Sequence, residues 1–204
     1  MNTSAPTASM TLADALWPSQ SAGLVRPAVL AVAGSLLMVV CAKIQVPMWP
    51  VPMTMQTFGI LIIGAAYGWP LGIVTVLLYL AEGFVGLPVF AGATAGPAYF
   101  AGTTGGYLVG FAAAAGIVGW LAERGWTRSI ATTAAAMVLG NALIYVFGLA
   151  WLDVLLVMIR GVAGWDLAKV LHNGMVIFLV GDAVKAALAA VVLPAAWTLA
   201  RRPA

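Results

Sequence analysis

The chain has 204 residues, of which 63% are hydrophobic and only 7% are charged, and its mean hydropathy is +1.06. An ordinary soluble domain is about a quarter charged, and nine basic plus six acidic residues cannot cover the surface of a chain this long. The composition therefore excludes a water-soluble globule and predicts an all-α integral membrane protein in contact with the lipid bilayer.

The few charged and reactive residues exclude several classes of function. The net charge of +3 comes from scattered residues, so no nucleic-acid site is expected. One cysteine, Cys41, and one histidine, His172, are too few for a disulfide or a Cys/His metal site, and we expect no metal and no cofactor. No lysine is followed by Ser or Thr as in a P-loop, and no Gly-x-Ser-x-Gly motif occurs. We therefore expect no enzyme, and a partner or an ion gradient must supply energy.

The spans are predicted from the requirement for about 20 apolar residues each, with charges and Gly/Pro breaks at their ends. Residues 1–25 lack a basic residue before an apolar core and contain Asp14, so they are predicted to be a cytoplasmic tail and not a cleaved signal. A membrane domain follows at 26–200 and a second tail at 201–204. Its six spanning helices are expected at 27–47, 54–68, 70–81, 105–122, 130–158 and 173–199.

The connection between the third and fourth helices, residues 82–104, is rich in glycine, which disfavours a lipid-facing helix. It is predicted to be a folded loop that acts as an extracellular lid. Six crossings place both termini on one side, and cytoplasmic ends carry more Lys and Arg than outer ends. With cytoplasmic termini, the inner group is Arg26, Arg124, Arg128, Arg201 and Arg202, and the outer group is Lys43, Arg160 and Lys169.

The most informative residues are Asp182 and Lys185 in the last predicted helix. A charge at bilayer depth costs about 2.5 to 3.5 kcal/mol, so both side chains are expected to face protein or water. Their spacing of three places them on one helix face. Two interpretations stay open, namely an anchor for a polar ligand and an ion pair that only neutralises itself.

Other candidate residues are less specific when taken alone. In the Pro-rich segment 44–57, Thr54 favours capping of the second helix, and Gln56 either orients a substrate amide or caps the same helix. Near the glycine-rich loop, Phe90, Tyr99 and Tyr107 offer flat apolar faces.

Small residues indicate where helices approach each other closely. Ala31 and Ser35 share one face of the first helix, where they favour either a partner helix or packing within the bundle. Gly106 and Gly110 leave the same alternatives in the fourth helix, with internal packing preferred.

Five motifs, in order along 26–193, resemble the BioY family, the biotin-specific capture (S) components of energy-coupling-factor (ECF) vitamin transporters. They are Ile-x-x-Pro…Val-Pro-Met-Thr-x-Gln-Thr at 44–57, Tyr-Leu-x-x-Gly-x-x-Gly-Leu-Pro-Val-Phe at 79–90, Thr-Gly-Gly-Tyr-Leu-x-Gly-Phe at 104–111, Gly140 to Tyr145 with Gly148, and Gly-Asp-x-x-Lys at 181–185. The chain departs from the family at Thr103, where proline is usual, and at 92–96.

The resemblance implies a six-transmembrane-helix bundle that binds biotin near its outer face, closed by the first and third connecting loops. Asp182 would accept hydrogen bonds from the urea N–H groups, and Lys185 would donate to the urea oxygen or to the carboxylate. The biotin-binding residues implied in this way are Asp182, Lys185, Gln56, Phe90, Tyr107 and Tyr145.

By the same resemblance, Ala28, Ala31 and Ser35 would dock on an energy-coupling transmembrane subunit, and ATP-binding cassette subunits would hydrolyse ATP. The chain is then expected in the cytoplasmic (inner) membrane with both termini inside. The alternatives are capture of another vitamin or precursor, such as desthiobiotin or thiamine, and a carrier that is coupled to an ion gradient and works alone. Cationic thiamine suits a site beside Lys185 poorly.

Overall fold

The computed structural model describes residues 10–18, 23–92, 94–159 and 161–200. Its helices are α1 (Leu12–Leu16), α2 (Val25–Lys43), α3 (Gln56–Tyr67), α4 (Trp69–Phe84), α5 (Pro97–Phe100), α6 (Gly105–Glu123), α7 (Ile130–Asp153), α8 (Leu167–Gly174) and α9 (Leu179–Ala200). Strands β1 (Gln45–Val46) and β2 (Met53–Thr54) form an antiparallel hairpin between α2 and α3. Residues 1–9 and 19–22 of the predicted N-terminal tail, Arg160, and the predicted tail 201–204 with Arg201 and Arg202 lie outside the described residues.

Four helical segments are long and apolar enough to cross a membrane: Val25–Lys43, Gly105–Glu123, Ile130–Ile159 and Leu167–Ala200. The other two candidates, α3 with 12 residues and α4 with 16, are shorter. At 1.5 Å per residue they extend about 18 and 24 Å, against a hydrocarbon core of about 30 Å. The prediction of a helical membrane protein is therefore confirmed, whereas helix length does not confirm six crossings.

Helix α6 lies at the centre of the bundle, where it packs on α7, α3 and α4. A Cβ atom on Gly106 would lie 2.4 Å from the carbonyl oxygen of Phe147, and one on Gly110 would lie 2.8 Å from the Cα atom of Ile144. Both glycines therefore allow α6 to approach α7 closely. The structure supports internal packing, the alternative that the sequence favours for these two residues.

The structure differs from the prediction at the end of the first spanning helix and near the start of the last one. Helix α2 ends at Lys43 instead of 47, because the next residues enter the hairpin, in which Gln45 pairs with Thr54. The predicted last helix is interrupted after Gly174, since Met175 leaves the helical region with φ −139° and ψ −58°. A 3₁₀ turn, Val176–Phe178, then leads into α9.

The described part of the predicted N-terminal tail packs against the bundle. A capping box between Thr11 and Asp14 begins α1, and Leu12 and Ala13 are buried. The Asp14 carboxylate also bonds to Arg26 at the start of α2, with Nη2 to Oδ1 at 2.8 Å. These contacts tie the segment before the first span to that span.

Candidate ligand-binding site

A cavity lies between the hairpin, α3, α6, α7 and α9. Its apolar wall and its few convergent polar groups are typical of small-molecule sites. Its polar lining residues are Thr54, Gln56, Thr57, Tyr99, Thr104, Tyr107, Tyr145, Asp182 and Lys185. Five of the six residues that the resemblance assigns to the ligand line it, namely Gln56, Tyr107, Tyr145, Asp182 and Lys185.

Asp182 and Lys185 form an ion pair in the wall of this cavity, with 3.1 Å between Nζ and Oδ1. Both residues are buried, at 6% and 8% exposure. The Tyr145 hydroxyl donates to the second carboxylate oxygen of Asp182, and the Lys185 ammonium also donates to Thr57 Oγ1 at 2.9 Å. Two of the three ammonium protons are thereby used, which leaves one donor and several carboxylate lone pairs for a ligand.

Gln56 begins α3, where its side chain is held by two hydroxyl groups. Its Nε2 donates to the Tyr79 hydroxyl at 2.8 Å, and Tyr79 donates to the Val89 carbonyl at 3.0 Å. The Thr54 hydroxyl donates to Gln56 Oε1 at 3.0 Å and accepts from the Gln56 backbone N–H at 3.2 Å. Thr54 therefore interacts with the first turn of α3, although Met55 takes the N-cap position.

Tyr107 presents its ring to the cavity, because its hydroxyl is bonded on the opposite side. The hydroxyl donates to the Gly174 carbonyl at 2.8 Å. Gly148 permits this position, since a Cβ atom there would lie 2.4 Å from the Tyr107 ring. The break after α8 is thus part of what orients a cavity residue.

Phe90 lies behind the cavity wall. It is fully buried and its ring stacks on Tyr99, which does line the cavity, with centroids 4.6 Å apart and planes at 11°. Phe90 is therefore absent from the cavity lining, and its direct contact with a ligand stays a prediction. Burial raises the pKa of the Tyr99 phenol above its ordinary value, despite hydrogen bonds with Thr104 and Ala91 that lower it, so the ring stays neutral.

Several cavity residues carried little or no sequence signal. Thr57 follows Gln56 in the Pro-rich motif, but its bond to Lys185 joins residues 128 positions apart. The apolar wall formed by Phe111, Ile144 and Phe178 cannot be distinguished in the sequence from ordinary helix packing.

The three predicted docking residues of α2 do not share one surface. Ala28 is exposed, whereas Ala31 and Ser35 are 6% and 1% exposed. The Ser35 hydroxyl donates to the carboxylate of Glu82 on α4. The structure therefore supports the packing interpretation for Ala31 and Ser35, and docking of the three residues on another subunit stays a prediction.

Comparison with known proteins gives concordant results. The model of the BioY family matches residues 8–202. The probable biotin transporter BioY of Pyrococcus horikoshii is 36% identical over 151 residues, which cover 74% of this chain and 83% of the relative. The biotin transporter BioY of Thermotoga maritima is 35% identical over 156 residues, or 76% of this chain and 86% of the relative.

A solved structure has the same fold. The crystal structure of the S-component for biotin from an ECF-type ABC transporter superposes with a TM-score of 0.74 at 24% identity, covering 86% of this chain and 92% of that chain. The family match extends over nearly the whole sequence, including all five motifs. The chain belongs to the BioY family.

Proposed function

We propose that this chain binds biotin in the cavity and serves as the substrate-capture subunit of an ECF-type transporter. The observation that carries the proposal is the buried pair of Asp182 and Lys185, which lines a cavity in a BioY-family chain. Relatives that align with most of the chain are named biotin transporters.

The polar groups of the cavity match those of biotin, which has a carboxylate, a cyclic urea with two N–H groups and one carbonyl, and an apolar thioether ring. The Asp182 carboxylate accepts from the urea N–H groups, while the free N–H of Lys185 donates to the urea oxygen or the carboxylate. Phe111, Ile144 and Phe178 pack against the apolar ring. Such bonds are stronger in a site shielded from water.

The same lining disfavours a cationic vitamin such as thiamine. Asp182 is the acidic residue of the cavity lining, and Lys185 already compensates its charge. A bound cation would then keep an uncompensated charge in a buried site, which is costly. The urea end of biotin or of its precursor desthiobiotin is neutral, so its burial avoids this cost.

We further propose six crossings of the cytoplasmic membrane with both termini inside and the loop 82–104 as an outer lid. The junction of α3 and α4 lies at the end of the bundle where α6 ends, since the Trp69 N–H donates to Glu123 Oε1 at 3.1 Å. The hairpin and the loop extend these short helices at the outer end. A transmembrane coupling subunit and ATP-binding cassette subunits supply the energy, because the sequence carries no P-loop.

Binding of radiolabelled biotin to the purified chain tests this function. Asp182→Asn and Lys185→Ala are each expected to weaken binding roughly 10- to 100-fold, because a hydrogen bond to a charged group contributes about 1.5 to 3 kcal/mol. Lys169→Ala is the control, since Lys169 is exposed on α8 and does not line the cavity. Parental affinity in both variants would contradict the assigned anchor.

Three further measurements distinguish capture of another vitamin, transport by the chain alone and an enzyme from the proposed function. Stabilisation against heat by thiamine and not by biotin would identify a different vitamin. Uptake of biotin by cells that lack every coupling subunit, abolished by a proton uncoupler, would support a carrier that works alone. A change in ligand mass after incubation would indicate an enzyme.

A further inference from the structure

The segment 88–92, which follows α4, is held almost entirely by side chains from elsewhere in the fold. All five of its carbonyl oxygens accept hydrogen bonds from side-chain donors, although the segment forms no helix or strand. Lys43 Nζ donates to Pro88 O at 2.7 Å, to Phe90 O at 2.8 Å and to Gly92 O at 2.8 Å. Tyr79 donates to Val89 O, and Thr94 donates to Ala91 O, both at 3.0 Å.

Lys43 makes three of these five bonds with a single ammonium group. An ammonium has three N–H donors, so the segment uses the full capacity of this one. No carboxylate lies within 4 Å of Lys43 in the parts of the chain that the structure describes. A lysine in the last turn of a helix also interacts favourably with the helix dipole, but Lys43 reaches carbonyls 45 to 49 residues further along the chain.

The segment held by Lys43 supports the outer wall of the ligand cavity. Phe90 lies in its middle and stacks on Tyr99. Tyr99 lines the ligand cavity and also a second, more open cavity, as do Pro52 and Thr104. These three residues, the partition, lie between the ligand cavity and the second cavity. Lys43 is therefore connected to the partition through Phe90.

We propose that Lys43 is a positioning residue that retains the ligand, because it fixes Phe90 and through it the Tyr99 side of the partition. Lys43 is absent from the cavity lining, so it acts without touching the ligand. Loss of its three bonds lets the partition open more often. The inference rests on the proposed function for the identity of the ligand, biotin.

The test compares Lys43→Met, which keeps an apolar stem and removes the donors, with Lys43→Arg, which keeps donors and charge. Lys169→Met is the matched control, since the Lys169 ammonium donates to the Gly164 carbonyl in another loop. Purified full-length variants are loaded with radiolabelled biotin and chased with excess unlabelled biotin. Hydrogen exchange is measured in parallel for peptides covering 85–100 and 105–123.

In Lys43→Met, dissociation is expected to become about tenfold faster with a smaller change in association, since interface changes act mainly on dissociation. Exchange should increase at 85–100 and stay unchanged in α6. Lys43→Arg should restore slow dissociation, and Lys169→Met should match the parent. Parental dissociation in Lys43→Met would overturn the proposal, as would faster exchange in α6, which would indicate a general loss of structure.

Failure of the proposed function gives a separate result. If the parent protein does not bind biotin, the chase has no signal and that function is wrong. Exchange at 85–100 in Lys43→Met still reports whether Lys43 holds the segment, and unchanged exchange there would overturn the structural basis of the inference.

Discussion

At the scale of single residues, the Asp182–Lys185 ion pair has a structural consequence that is separable from binding. Each side chain is less than a tenth exposed. Removal of one partner leaves the other charge buried and uncompensated, at a cost of about 3 to 5 kcal/mol, whereas neutral replacement of both partners is often tolerated. Stability and affinity therefore respond differently to paired substitutions.

We expect Lys185→Met to lower the thermal midpoint of the detergent-purified protein, because it strands the Asp182 carboxylate beside Tyr145. Adding Asp182→Asn to this variant should recover most of the lost stability, since no buried charge remains. Biotin binding should stay lost, because both ligand-facing charges are gone. Thermal unfolding and equilibrium binding measure the two effects, and a double variant that regains parental affinity would favour the self-neutralising interpretation.

At the scale of elements, the contact between α6 and α7 depends on glycine. A Cβ atom on Gly106 would lie 2.3 Å from Trp151 Cβ, in addition to its clash with the Phe147 backbone. Gly106→Ala must therefore separate the helices and is expected to destabilise the protein by about 1 to 3 kcal/mol. Thermal unfolding measures the effect, with Gly116→Ala in the same helix as the control.

Gly116 is a suitable control because its added Cβ would meet only the end of the Ile73 side chain, at 2.9 Å, which can rotate away. A midpoint for Gly116→Ala close to that of the parent is expected. Equal losses in the two variants would mean that helix propensity or lipid contact, and not the α6–α7 approach, determines the cost.

The elements also show what the sequence can and cannot predict. Helix α6 begins at Gly105 and α7 at Ile130, where the sequence places them, because glycines and charges bound long uncharged runs. The interruption after Gly174 was not predicted, since the residues that follow it, 175–178, are as apolar as a continuous helix and the Tyr107 bond that accompanies it is long-range.

The residues of the candidate site can likewise be predicted where a local sequence feature marks them, and not where their role depends on long-range contacts. Asp182 and Lys185 were predictable because charges are rare in apolar helices. The position of Phe90 was not, since an aromatic residue in an apolar segment gives no indication of whether it lines a cavity or packs one layer behind it. The role of Lys43 could not be predicted from the sequence either, because its hydrogen-bond acceptors are backbone carbonyls, which are present at every residue.

At the scale of the whole molecule, the two ends of the bundle differ in their charged residues. Among the described residues, Arg26, Arg124 and Arg128 lie at the end that holds the α3–α4 and α6–α7 junctions, and Lys43 and Lys169 lie at the other end. Arg124 lies over the Trp120 ring, with its Cζ atom 3.5 Å from the centroid. Arginine and tryptophan together are typical of a membrane interface, and the larger basic group favours the cytoplasmic side.

Single cysteines test this orientation and the crossing of the short helices α3 and α4. The sole native cysteine, Cys41, is buried and is replaced by alanine. Cysteines are then placed one at a time at exposed positions: Ala163 between α7 and α8, Ala131 in the first turn of α7, and Trp69 at the α3–α4 junction. An impermeant maleimide should label Ala163→Cys in intact cells, but Ala131→Cys and Trp69→Cys only after permeabilisation.

Trp69 and Ala131 are expected on the same side of the membrane, because the Trp69 N–H bonds to Glu123 at the end of α6, shortly before α7 begins. Labelling of Ala131→Cys in intact cells would mean that the bundle is inverted and that the loop 82–104 faces the cytoplasm. Labelling of Trp69→Cys alone would mean that α3 and α4 return to the outer side without crossing. Four spans would then enclose the cavity, and the two short helices would line it as a re-entrant pair.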